Sequence, residues 1–146
     1  MLVDLMSFEK LSVVSKGKET LHLDVSGIKV TFLGYHYPVL FPFESFLGTS
    51  VADPRDIACM KISAIAGRGA RRDFIDLYET ARHYGLADLM DLFRRKYALV
   101  DYNFVHILKS LTYFKDAETE PMPQMLLPIS WQEVTEFFTH ETIGLV

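Results

Sequence analysis

Cysteine is nearly absent from this chain: Cys59 stands alone among 146 residues. A lone thiol forms no intramolecular disulfide and supplies no CxxC pair for zinc, which fits a reducing compartment such as the cytoplasm. Long apolar runs are missing too. The longest charge-free stretch near the middle, residues 30–43, is too short to span a bilayer, and Pro38 and Pro42 interrupt it. The first ten residues carry Asp4 and Glu9 and no basic n-region, unlike a secretory leader. None of the histidines, His22, His36, His83, His106 and His140, falls in an HExxH pattern or an i, i+4 pair. No P-loop, dinucleotide-binding glycine pattern or G-x-S-x-G elbow occurs. These absences predict a soluble, cytoplasmic protein without a membrane partner.

What is present is an ordinary globular composition, 49% hydrophobic and 23% charged, which excludes disorder of the whole chain. The length suits one domain over 1–146, with a β-rich part over 1–50 and a helical part over 51–146. The net charge of -4 gives no global pull on nucleic acid. It is unevenly placed, however. Residues 61–96 hold eight basic side chains against five acidic ones. A local positive field of that kind attracts phosphates, although solvated helix faces laced with ion pairs have the same composition.

The periodicities predict an α+β fold, an N-terminal β-hairpin followed by about five helices. Leu21, Leu23 and Val25 alternate with His22 and Asp24, and Ile28, Val30 and Phe32 alternate beyond Ser26-Gly27. Two such runs around a two-residue connection ending in glycine read as a hairpin. The aromatic and proline-rich stretch 35–48 reads as a packed extended connection. A helix then starts at Asp53-Pro54 and stops at Gly67-Arg68-Gly69. A second carries Phe74, Leu77, Tyr78 and Ala81 on one face. A third follows Gly85 with Leu86, Leu89, Met90, Phe93 and Tyr97 inward, and a fourth carries Phe104, Ile107, Leu108 and Leu111. After Pro121, Pro123 and Pro128, Ser130 and Glu133 form a capping box for a last helix. A hairpin this apolar is marginal alone and leaves an open edge, so the chain is expected to form a homo-oligomer. Cys59, within an apolar helix, reads as a small core residue.

The densest polar constellation is Lys61, Arg68, Arg72, Asp73 and Asp76. Lys61 and Arg68 are seven residues apart and share a helix face; Asp73 and Asp76 lie three apart on the next helix, within reach of Arg72. A lysine near paired carboxylates across a glycine-rich turn has the chemistry to bind a nucleoside triphosphate with magnesium. Spacing alone favours two capped helices, with Asp73 as a first-turn cap, an Arg72–Asp76 ion pair and Lys61 snorkelling at the surface.

Here the residues resemble a known family. Asp53-Pro54-Arg55-Asp56-Ile57-Ala58-Cys59-Met60-Lys61, then Ala64-Ile65 and Arg68-Gly69, is similar to the "leDIaaMKl-AI--RG" segment of AbiEii/AbiGii-type toxin nucleotidyltransferases. Arg72-Asp73-Phe74-Ile75-Asp76-Leu77-Tyr78 resembles their "KDyiDLy" motif, with Arg72 in place of the usual lysine. Collinear matches continue upstream at Gly27-Ile28-Lys29-Val30 and downstream at Lys96-Tyr97, Ser110-Leu111-Thr112-Tyr113-Phe114 and Trp131-Gln132-Glu133-Val134.

The resemblance implies a polymerase-β-like nucleotidyltransferase, a toxin of a toxin–antitoxin system that moves nucleotides from a nucleoside triphosphate onto an RNA such as tRNA, with a cognate antitoxin as partner. It implies Asp76 and Asp73 as catalytic residues, Lys61, Arg68 and Arg72 as nucleotide-binding residues, and Mg2+ as cofactor. The family opens with a G-G-T-A-type turn and an H-R-x-S-x-D-x-D-like strand whose aspartates hold the metals. Neither occurs before Leu21, and Asp24 is the one residue of the first strands that offers a third carboxylate. The expectation is therefore a truncated, β-remnant form that is inactive alone, with no complete metal site, or a non-catalytic nucleotide- or partner-binding module.

Overall fold

A computed structural model describes residues 10–145. The α+β reading holds. Strands come first and helices follow, in two compact units, Met1–Tyr37 and Pro38–Val146.

In the first unit, β1 (Leu11–Lys16), β2 (Thr20–Val25) and β3 (Ile28–Leu33) form an antiparallel sheet with β2 in the centre. The expected hairpin is β2–β3, in register from Thr20 opposite Leu33 to Val25 opposite Ile28. Ser26 and Gly27 both take positive φ, 53° and 86°, as the primed turn of a two-residue loop requires. Asp24 accepts the Gly27 N–H at 2.8 Å, so this carboxylate is spent on its own turn. The sequence reading overlooked β1, whose apolar residues Val13 and Val14 stand side by side instead of alternating. The structure meets that irregularity with a register shift between Val13 and Ser15.

The stretch 35–48 is not one packed connection. It ends in β4 (Glu44–Phe46), which pairs with β5 (Thr49–Val51) across a Leu47-Gly48 turn of φ 49° and 77°. Phe43, Phe46 and Leu47 are exposed there, not packed. Gly48 at the second loop position is the residue that makes the turn, and it was passed over.

Six helices complete the unit: α1 (Pro54–Arg68), α2 (Arg71–Tyr84), α3 (Leu86–Lys96), α4 (Phe104–Ser110), the one-turn α5 (Lys115–Glu118) and α6 (Trp131–Ile143). The start and stop signals act as their chemistry requires. Asp53 accepts the Arg55 N–H at 2.8 Å, Pro54 fills the first turn, and Gly69 closes α1 in the left-handed region, φ 58°, with its N–H on Ile65 O. Both bonds of the Ser130–Glu133 capping box are made, at 2.8 and 3.1 Å.

Helix α2 is the centre of the bundle and touches α1, α3, α5 and α6. Its Phe74, fully buried, is the hub of an aromatic cluster whose ring centroids lie 5.4 Å from Phe114, 5.9 Å from Trp131 and 5.5 Å from Phe138. Asp73 and Asp76 stand on this helix, on either side of Phe74 in the sequence.

Candidate functional site

The corner between α1 and α2 gathers four of the five residues singled out by sequence. Lys61 and Arg68 project from one face of α1, the chain reverses through Gly69, and Asp73 and Asp76 return on α2. Lys61 Nζ donates to Asp73 Oδ1 at 3.0 Å and lies 2.6 Å from Asp76 Oδ2. Arg68 donates through Nε to Asp73 Oδ2 at 2.8 Å, and its Nη2 lies 2.7 Å from the same oxygen. The charges therefore alternate along one chain of contacts, Arg68–Asp73–Lys61–Asp76.

Exposure differs along that chain. Asp73 is wholly buried, whereas the side chains of Lys61, Asp76 and Arg68 are 24%, 52% and 55% exposed. Partial burial works against the Lys61 ammonium, but hydrogen bonds to Asp76 and Asp73 and their charges outweigh it and hold its pKa above the ordinary lysine value. This contribution to stability is complete at neutral pH and is lost only when the pH rises through that elevated value. Asp73 also lies in the first turn of α2, where the helix dipole favours an anion.

Arg72 departs from the expectation. It makes no ion pair among the described residues, and Asp76, one turn away, takes Lys61 instead. Arg72 and Asp76 together line a cleft beneath the 123–129 loop. Two of the plainer readings also fall: Asp73 is a two-cation acceptor rather than a simple cap, and Lys61 is held on both sides rather than snorkelling.

A second ion pair went unread. Asp56, which the sequence assigns to the helix dipole, is buried with Lys96, counted among the positive surface charges; their side chains are 4% and 1% exposed and bonded to each other. Lys96 also donates to Pro38 O at 2.7 Å, while the Asp56 carboxylate accepts the N–H groups of Leu40 and Phe41 at 3.0–3.1 Å. The pair pins residues 38–41 to α1 and α3. A signal existed. Lys96 follows Leu89 by seven residues and Phe93 by three, so it lies on the apolar stripe of α3, and a buried lysine requires a partner. Cys59 is a core residue as expected, and burial pushes its thiol up to about 11, with Lys96 opposing and Asp56 adding to the shift. It is inert at neutral pH in the folded chain.

The positive surplus of residues 61–96 does not reach the surface intact. Lys61 and Arg68 face Asp73 and Asp76, Lys96 is buried on Asp56, Arg82 pairs with Glu79, and Arg94 with Asp91. Arg71 bonds the carbonyls of Ala117 and Glu118 and lies 4.8 Å from the Trp131 ring centroid.

The order of these motifs along one helical hairpin invites comparison with known proteins. The family model described as nucleotidyl transferase AbiEii toxin, Type IV TA system, matches residues 9–141. The chain belongs to this family. An uncharacterized protein of Aquifex aeolicus (strain VF5) is 42% identical over 137 residues, an alignment covering 89% of this chain and 65% of that protein. The chain thus spans just under two thirds of that relative's length. No solved structure matches. No helix among the described residues is long and apolar enough to cross a membrane.

AbiEii membership brings an implied metal, and the described residues can be tested against it. Among them no group of three or more His, Cys, Asp or Glu side chains could hold a metal ion. Asp73 has already given one oxygen to Lys61 and the other to Arg68. Asp76 keeps one oxygen clear of Lys61 and is half exposed. A magnesium pair needs several carboxylates, so these residues do not fit it by themselves.

Proposed function

We propose that this chain carries the triphosphate-facing part of an AbiEii-type nucleotidyltransferase that moves a nucleotide from a nucleoside triphosphate to an RNA acceptor such as tRNA. In that reaction an acceptor hydroxyl oxygen bonds to the α-phosphorus, the bond to the bridging oxygen breaks, and pyrophosphate leaves. Lys61 and Arg68 contact the phosphates, Asp76 faces the reacting nucleotide, and Asp73 is a positioning residue that holds both cations side by side. The carboxylates for magnesium lie, on this reading, outside the described residues, and a cognate antitoxin is its partner in the cell.

The observation that carries this reading is the unequal grip on Lys61. On one side it is fixed by a fully buried carboxylate; on the other it meets a half-exposed one that can move aside for a phosphate. A lysine presented this way supplies a point charge with little reorganisation. Exchange of one carboxylate for a phosphate also keeps the cation paired throughout.

The test is filter binding of a radiolabelled nucleoside triphosphate in magnesium buffer. Lys61→Ala is expected to weaken binding roughly 10- to 100-fold, the usual worth of a charge-assisted hydrogen bond, without lowering the thermal midpoint by more than a few degrees. Unchanged binding would sink the assignment. Transfer of label to tRNA by the chain in the same buffer tests the placement of the metal carboxylates: efficient transfer by these residues alone would overturn it.

A second reading has one observation in its favour. Two cations and two anions cancel at the corner, as in a purely structural clamp. It predicts the opposite outcome, a loss of stability in Lys61→Ala with no triphosphate bound by the parent chain.

A further inference from the structure

We propose that the cleft between α2 and the 123–129 loop is the nucleobase pocket of the triphosphate site. This rests on the reading of Lys61 given above and adds to it the part of the substrate that the phosphate-facing corner does not touch.

The cleft has one wall from a helix face and one from a stiff loop. Arg72, Ile75, Asp76 and Glu79 follow the i, i+3, i+4, i+7 spacing of a single face of α2 and all line it. Opposite stands a segment bracketed by Pro123 and Pro128, whose fixed φ angles limit its freedom. Met125 and Ile129 of this segment pack against the helical core, so the wall is anchored from behind. The cleft measures about 250 Å³. That is below the roughly 300–1,000 Å³ of pockets that take drug-sized ligands, and suits one planar ring system.

Its chemistry matches such a ring. Ile75, Met125, Leu127 and Ile129 offer apolar surface to the two faces. Arg72 and Gln124 stand among them with donors and, in the amide, an acceptor for the edge. Among the described residues, neither side chain is engaged in a hydrogen bond or an ion pair. Asp76 settles the choice of occupant. It lines this cleft and also lies 2.6 Å from Lys61. The cleft therefore begins where the phosphate-facing cluster ends. A ribose laid across Asp76 would donate hydrogen bonds from its hydroxyls to the carboxylate, as sugar hydroxyls do elsewhere to acidic residues. A hydrocarbon ligand or apolar peptide would leave Asp76, Arg72 and Gln124 without use.

The experiment compares nucleoside triphosphates with inorganic tripolyphosphate, by calorimetry on the full chain, for the parent protein, Lys61→Ala, Gln124→Ala and Leu127→Trp. Leu127 is 50% exposed, so tryptophan there fills the cleft without entering the core. The parent is expected to bind at least one nucleoside triphosphate roughly tenfold or more tighter than tripolyphosphate, the order expected for burying one ring. Leu127→Trp should remove that advantage and leave tripolyphosphate unchanged, Gln124→Ala should reduce it, and Lys61→Ala should weaken both ligands. Equal affinity for the two ligands in the parent, with Leu127→Trp affecting neither, overturns the pocket while leaving the Lys61 corner standing. So does an equal loss of both ligands in Leu127→Trp and Gln124→Ala. If neither ligand binds the parent, the pocket and the triphosphate reading fall together.

Discussion

Replacing Asp56 by alanine is expected to destabilise the helical unit by about 3–5 kcal/mol, the cost of leaving a buried charge without its partner. The Lys96 side chain is 1% exposed and would lose its carboxylate partner. The N–H groups of Leu40 and Phe41 would lose their acceptor at the same stroke. Urea denaturation should show a lower midpoint at an unchanged slope. The paired change Asp56→Ala with Lys96→Met should recover a large part of the loss, because a buried ion pair can often be replaced by apolar packing with little net change. A single variant within 1 kcal/mol of the parent, on the scale set by such pairs, would show that Lys96 escapes to solvent and that the staple is not needed.

Phe74→Ala should cost a similar amount, about 3–5 kcal/mol, for a different reason. Nothing ionic is involved. The ring is fully buried and its neighbours come from two separate parts of the chain, Phe114 just ahead of α5 and Trp131 and Phe138 on α6, so they cannot all collapse into the space it leaves. Calorimetry should register a fall in melting temperature of roughly 10 °C. Phe74 sits between Asp73 and Asp76 in the sequence, and the nucleotide binding proposed above should fade as α2 loosens and return on cooling. A small shift, with Phe74→Leu no milder than Phe74→Ala, would mean that the aromatic cluster is not the support on which the corner rests.

How far these features were legible depends on how local their causes are. The Ser26-Gly27 turn, the Asp53-Pro54 start, the Gly69 stop and the Ser130–Glu133 box are each written within a few residues, and each is present as read. β1 was hidden because its apolar residues do not alternate, and β4–β5 because strands of three residues are too short for alternation to show on either side of Gly48. At the corner, spacing brought Lys61, Arg68, Asp73 and Asp76 within reach of one another, but periodicity does not say which carboxylate a lysine chooses. That choice follows from how α1 and α2 cross. The Asp56–Lys96 pair spans forty residues of sequence, and only the misfit of a lysine on an apolar stripe hinted at it. The cleft under the 123–129 loop was beyond reach, since the path of a proline-rich loop over a helix is set by packing at its two ends.

The Gly69 reversal has a further meaning in the language of loop entropy. Lys61 meets Asp73 across twelve residues, whereas Asp56 meets Lys96 across forty. Closing the longer loop costs about 1 kcal/mol more in chain entropy. The charged corner therefore belongs to a single helical hairpin and needs no distant segment in order to close, while the buried staple must wait for α3. An opening that detaches α3 would therefore break the Asp56–Lys96 pair and leave the contacts within the α1–α2 corner in place.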